Sequence, residues 1–285
     1  MVLKSSWKVR LIKYSFFVLS FFLICILTYS INVNHGELSQ NLEDIVPLKL
    51  PNNIDKYFID KSGCFIIYDF NTDLTYTYNE NNANKRMSPC STFKIYASLF
   101  ALDAGVIDTE TVYEWDGTKY KINGWNGNQT LSSAVKHSVV WFFQKLAINI
   151  GKSNMQAHID KIDYGNRNIS GGISNFWLLS SLEITPNEQI ELLKKLYNNQ
   201  LPFSKDTQDK VKDILILEEN ENFSLSGKTG TGEDKLGWFI GMVKNKQNQY
   251  AFVTNIEGIS GTNGQRAKDI TISILEYMNI FTNNN

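Results

Sequence analysis

Segments with strand character stand at the two ends of this chain, and segments with helical character fill the middle. Gly63 to Tyr78 carries two strand-like stretches, Cys64–Asp69 and Leu74–Tyr78, joined across an Asn-Thr-Asp turn. Far downstream, Gly237–Lys244 and Gln249–Ile256 run apolar around Asn245–Asn248, as the arms of a hairpin do. Between them, Ser91–Gly105, Thr130–Ile150 and Pro186–Tyr197 have helical spacing, with Gly105 and Gly151 as stops, and Arg266–Ile280 closes the chain as an amphipathic helix. One sheet must therefore be closed by segments from distant parts of the chain. The fold class that follows is α/β of the α+β kind, an antiparallel sheet flanked by helices with a helical region inserted.

The first thirty residues have a different character. Lys4, Lys8, Arg10 and Lys13 precede an apolar run from Tyr14 to Tyr29, the pattern of an export signal or a membrane anchor. The run falls between a signal core and a full span, and no small-residue cleavage site follows it. Cys25 has the bulky Ile24 before it, which argues against lipidation. The organisation expected is a signal or anchor over residues 1–30, a polar linker over 31–58 and a catalytic domain over 59–285, exported or tethered outside the cytoplasm. Net charge is −1 over 285 residues, with no basic excess to attract nucleic acid. The three histidines form no ligand spacing, so no metal is expected. Cys64 and Cys90 form either a disulfide or two buried thiols.

The chemistry is concentrated in short motifs. Ser-x-x-Lys brings a lysine amine beside a serine hydroxyl one helical turn away, where it can take the hydroxyl proton. The pattern occurs three times, at Ser5–Lys8, Ser91–Lys94 and Ser133–Lys136. Only Ser91 sits where a proline-containing loop becomes a helix, so that its backbone N–H and hydroxyl are both free; N-capping is its bland alternative. Lys228-Thr229-Gly230 occurs once, before a strand pattern, and could line a sheet edge facing an anion. The phosphate-loop alternative needs a glycine where Asn222 stands. Ser138-Val139-Val140 reads as the interior of a helix, where a serine usually bonds back to its own backbone. Tyr164-Gly165-Asn166 and Phe176-Trp177-Leu178 follow.

In this order, Ser91-Thr92-Phe93-Lys94, Ser138-Val139-Val140, Tyr164-Gly165-Asn166, Trp177 and Lys228-Thr229-Gly230 resemble the class D serine β-lactamases, over about residues 60–280. Trp115-Asp116-Gly117 and Gly237–Gly241 look like that family's framework. The resemblance implies the fold shared by serine β-lactamases and penicillin-binding transpeptidases, and a small-molecule β-lactam as substrate. It implies Ser91 as nucleophile, and Lys94 as base carrying a carbamate made from CO2, the only addition needed, with Trp177 donating to it. Ser138 and Lys228 would pass a proton to the departing nitrogen. Thr229 and Arg266 would bind the substrate carboxylate, and the N–H groups of Ser91 and Thr231 would form an oxyanion hole, beside Gly230. Val140, Tyr164, Asn166 and Leu178 would shape the pocket, with a structural role equally open for Tyr164 and Asn166.

Ser88-Pro89-Cys90-Ser91 through Tyr96 also resembles the extracellular domain of β-lactam sensor-transducers, which acylate and turn over very slowly. Those receptors carry a membrane part with a zinc-protease motif, and this chain has one apolar segment and no His-Glu-x-x-His. Val140 stands where the sensors, and the Ser-x-Asn of transpeptidases, commonly place Asn. An amide there would favour loss of CO2, whereas valine keeps the pocket apolar. Thr231-Gly232 follows Lys-Thr-Gly where many class D members have an aromatic residue, which leaves the substrate profile open.

Overall fold

The computed structural model describes residues 48–281. A 3-10 turn at Ile54–Phe58 leads into β1 (Ser62–Asp69), β2 (Leu74–Tyr78) and a short α1 (Glu80–Ala83). A second 3-10 turn, Cys90–Phe93, runs straight into α2 (Lys94–Asp103). The helical region continues with α3 (Leu131–Lys136), α4 (Val140–Ile150), α5 (Lys152–Lys161), α6 (Pro186–Tyr197) and α7 (Lys205–Ile214). The chain then returns to the sheet through β3 (Ile216–Glu219), β4 (Phe223–Gly232), β5 (Leu236–Asn245) and β6 (Gln249–Glu257), and ends in α8 (Gly264–Tyr277).

The six strands form one antiparallel sheet in the order β2-β1-β6-β5-β4-β3. β1 pairs with β6, Ile66 opposite Val253, so the two ends of the chain close one sheet as the strand pattern requires. Strands β1, β5 and β6 are covered on both faces and therefore read as nearly continuous apolar runs. On one face Ile66, Trp238, Ile240 and Val253 join the core of the helical region. On the other, Phe65, Ile67, Phe239 and Phe252 pack under α8. Helix α6 follows its sequence signals closely: Thr185 and Glu188 form a reciprocal capping box, with Pro186 in the first turn.

Three expectations need correction. The helix expected over Thr130–Ile150 is two, broken at His137-Ser138-Val139. Lys228-Thr229-Gly230 lies inside a strand, β4, rather than ahead of one. The linker assignment is too long at its C-terminal end. Ile54 and Phe58, four apart on a turn, are buried on the α8 face of the sheet, and Phe58 stacks on Tyr78 at 4.8 Å. Leu48 and Leu50 pack against the same core, so residues 48–58 belong to the folded domain. The signal or anchor, Cys25 and the rest of the linker lie outside the described residues. Among the described residues no helix is long and apolar enough to cross a membrane. Cys64 and Cys90 are both free and buried, and burial pushes the Cys64 thiol up to about 12.

Phe58→Ala should lower stability by about 3 kcal/mol, the usual cost of removing a buried phenyl ring. Chemical denaturation of the folded domain checks it. An unchanged midpoint would mean that the 54–58 turn is not part of the core.

Candidate active site

The nucleophile loop is shaped before Ser91 by backbone geometry. Cys90 adopts a left-handed conformation (φ 48°), which turns the chain sharply into the 3-10 turn. Ser88 secures the approach. Its hydroxyl donates to the Trp177 carbonyl (2.9 Å) and accepts from Leu179 N–H (3.0 Å), while its own carbonyl accepts from Trp238 Nε1 (3.0 Å). One residue thus ties the nucleophile loop to the 177–179 loop and to the central strand β5. Thr92 donates to the Pro89 carbonyl (2.7 Å) and accepts from Gln189 Nε2 on α6 (3.0 Å).

Lys94, the first residue of α2, places Nζ 2.7 Å from Ser91 Oγ. Its side chain is wholly buried. Desolvation, then the nearby Lys228 charge, drives its pKa well below the ordinary lysine value, against a smaller opposing effect of Cys90. Phe143 on α4 presents its ring 5.4 Å from the amine. Phe93 packs against Trp177 (5.7 Å, stacked), Phe176 and Tyr164, so aromatic rings back this part of the loop. Among the described residues Trp177 Nε1 is buried with no hydrogen-bond partner, a state in which a native core seldom leaves a donor.

Ser138 occupies the break between α3 and α4 in a left-handed conformation (φ 54°). Val139 N–H bonds back to the Ala134 carbonyl (2.9 Å) and Ser138 N–H to Val135 (3.2 Å), the paired bonds of a Schellman C-cap. That position favours glycine, which is why the sequence pattern missed it. Two indoles brace the break from outside: Trp125 Nε1 donates to the His137 carbonyl (2.9 Å), and Trp141 Nε1 donates to the Trp125 carbonyl (3.0 Å). Ser133, the third Ser-x-x-Lys serine, is absorbed in the α3 capping box and donates to Gln129.

Strand β4 brings Lys228, Thr229, Gly230 and Thr231 to the nucleophile loop. A Cβ on Gly230 would meet the Pro89 carbonyl at 3.0 Å and Thr92 Cγ2 at 3.2 Å, so glycine permits this approach. Lys228 is buried and donates to the Thr229 carbonyl (3.1 Å); burial lowers its pKa from 10.5 to about 8. The N-terminus of α8 packs on Thr229 and Gly230, and Gly264 N–H donates to Thr231 Oγ1 (2.9 Å). Arg266 follows two residues later, exposed and without an ion pair among the described residues.

The pocket-wall residues divide. Val140 and Leu178 are half-buried. Tyr164 is wholly buried behind Phe93, so of the two roles left open for it the packing supports the structural one rather than direct substrate contact. Asn166 is a staple: its side chain donates to the Ser181 carbonyl (2.8 Å) and accepts from Glu183 N–H (3.0 Å). Ser88, Gln189, Trp125 and Trp141 were missed, and no local pattern marks them, because each acts through a partner remote in sequence.

A family model described as the penicillin binding protein transpeptidase domain matches residues 51–276. "Probable beta-lactamase YbxI" of Bacillus subtilis is 42% identical over 233 residues, covering 81% of this chain and 86% of that protein. The solved structure of "Class D beta-lactamase BAT-2" superposes with a TM-score of 0.80 at 40% identity, over 84% of this chain and all of that one. The chain belongs to the class D β-lactamase family. "Regulatory protein BlaR1" of Bacillus licheniformis is 38% identical over 232 residues, 79% of this chain and 38% of that longer protein. Membership makes this a hydrolase of the penicillin-binding fold, and BlaR1 shows that the same domain also occurs inside a regulatory protein.

Two substitutions separate site from scaffold in this class D enzyme. Ser138→Gly should raise stability by about 0.5–1 kcal/mol, since relief of left-handed strain exceeds glycine's extra entropy, while acylation falls at least tenfold. Thermal unfolding and labelling by a fluorescent penicillin check the pair, and unchanged labelling would remove Ser138 from the chemistry. Lys228→Met should also stabilise the fold while impairing activity. The folded state disfavours the ammonium, so the penalty is complete below pH 8 and fades as pH rises toward 10.5. The gain should be on the order of 3 kcal/mol at pH 7 and should shrink between pH 8 and 10.5; a gain independent of pH would mean that packing, not desolvation, is responsible.

Proposed function

We propose that the protein hydrolyses β-lactam antibiotics outside the cytoplasm, through an acyl-enzyme on Ser91, and so confers resistance. The observation that carries this reading is the 2.7 Å contact between Ser91 Oγ and a wholly buried Lys94, whose burial drives its pKa well below the ordinary lysine value. A neutral nitrogen at that distance can take the hydroxyl proton as Oγ attacks the lactam carbonyl. The backbone N–H groups of Ser91 and Thr231 would face the oxygen that becomes negative. Ser138 would hand a proton to the departing lactam nitrogen, with Lys228 as its source. Thr229 and Arg266 would hold the substrate carboxylate, the guanidinium as a bidentate fork.

The residues around Lys94 also fit CO2 held on the amine as a carbamate. The amine is neutral and therefore nucleophilic, its surroundings are apolar, and Trp177 Nε1 is an unused buried donor. The group would supply an anionic base for both acylation and deacylation. Val140, apolar and half-buried at the start of α4, adds no amide to this neighbourhood. The second reading, a sensor domain that acylates and stays acylated, is favoured by the identity with BlaR1.

Mass spectrometry with benzylpenicillin distinguishes them. The adduct on Ser91 should clear within seconds and be absent from Ser91→Ala; an adduct persisting for minutes means a sensor. Added bicarbonate should raise initial rates. Trp177→Phe should retain partial acylation and slow deacylation at least tenfold, so that adduct accumulates. Activity should fall reversibly at acid pH, where the ammonium returns and CO2 is lost, and again above about pH 8 as Lys228 gives up its proton. A flat bicarbonate response in the wild type would rule out the carbamate.

A further inference from the structure

A cleft of about 470 Å³ begins at Lys228 and Thr229 and extends between α3, the junction of α7 with β3, and the start of α8; Ser91 does not line it. Its charge is one-sided. Lys136 from α3, Lys268 from α8 and Lys228 face a single carboxylate, Asp213. Among the described residues neither Lys136, Lys268 nor Asp213 forms an ion pair, and Lys268 Nζ rests 5.9 Å from the Phe239 ring. The cleft is also lined by Ile216 and Leu217, which β3 leaves 41% and 44% exposed. Lysines outnumber carboxylates here and lie beside exposed aliphatic surface, so the cleft carries a positive potential that no ion pair among the described residues neutralises. It suits a ligand that brings an anion on an apolar arm.

We propose that this cleft is a second substrate subsite, taking an anionic substituent carried on the carboxylate side of the β-lactam's fused ring. The inference rests on the β-lactam reading above. The cleft shares Lys228 and Thr229 with the proposed substrate site, so with the ring carboxylate held at Thr229 a substituent on the adjacent ring carbon would leave the ring toward it. The aliphatic residues cover its arm, and Lys136 and Lys268 meet its charge. The subsite therefore selects dianionic cephems over otherwise equal monoanionic ones, and its contribution falls with ionic strength because both ammonium groups are solvated at the rim.

Two cephems that differ only at the ring carbon next to the carboxylate-bearing one test this, one with a neutral acetoxymethyl group and one with a carboxyethylthiomethyl group. Second-order acylation of Ser91 is followed by mass spectrometry, so the comparison holds whether or not the adduct clears. In the full-length wild type the dianionic cephem should acylate at least tenfold faster at low salt, and 0.5 M KCl should erase most of that preference. The double variant Lys136→Gln with Lys268→Gln should lose the preference and keep the wild-type rate on the neutral cephem. Equal rates for the two cephems in the wild type, or an undiminished preference in the double variant, overturns the subsite. Benzylpenicillin is the control for the parent reading. If it acylates without clearing, the hydrolase reading fails and the subsite result stands; if nothing acylates Ser91, both fall.

Discussion

Burying a lysine ammonium in an apolar environment costs far more than one hydrogen bond returns, so a lysine held in such a place sheds its proton. Lys94 is in that position, and the site is organised around its neutrality. Its amine is within hydrogen-bond distance of one hydroxyl, Ser91 Oγ, and faces the Phe143 ring. Lys228 adds a second positive charge close enough to depress it further. The same contact in water would join a serine to an ammonium, which has no lone pair to accept a proton.

Four separate stretches of chain build the surroundings of the nucleophile loop. The 3-10 turn supplies Phe93, α4 supplies Phe143 beside the amine, and the 176–178 loop supplies Trp177 against Phe93, while β4 approaches Pro89 and Thr92 at Gly230. Ser88 joins two of these regions, the loop before Ser91 and the 176–178 loop, and ties them to strand β5 through one hydroxyl and one carbonyl. The strained conformations at Cys90 and Ser138 are held by this packing, and each presents a functional hydroxyl at a bend rather than along a helix. The scaffold meets the cost of two left-handed non-glycine residues, as sites commonly require.

Much of this was legible before any coordinates. The Ser-x-x-Lys spacing, the glycines of the Lys-Thr-Gly stretch and the separation of the strand patterns are local features with local physical causes. The capping box at Thr185 and Glu188 and the β5–β6 hairpin belong to the same class. What escaped was of another kind. Ser138 looked like a helix interior because its left-handed cap uses no glycine, and Ile54 and Phe58 looked like linker because their partners lie on a strand and a helix remote in sequence.

The sequence by itself determined which residues are candidates to react, because the proposed nucleophile and base, Ser91 and Lys94, are marked by residue type and by spacing within one turn. It also determined that the sheet must join the two ends of the chain, since the strand patterns occur nowhere else at comparable length. Only the tertiary structure decided that, of the two Ser-x-x-Lys pairs among the described residues, the Ser91 pair has the buried lysine, because burial depends on what distant segments bring over that amine. Ser133 became a cap and its Lys136 stayed in solvent, whereas Ser91 met the buried Lys94 at 2.7 Å. Tyr164 moved behind the wall and Asn166 became a staple for the same reason: desolvation and hydrogen-bond satisfaction are set by the whole packed interior, and no short stretch of sequence specifies them.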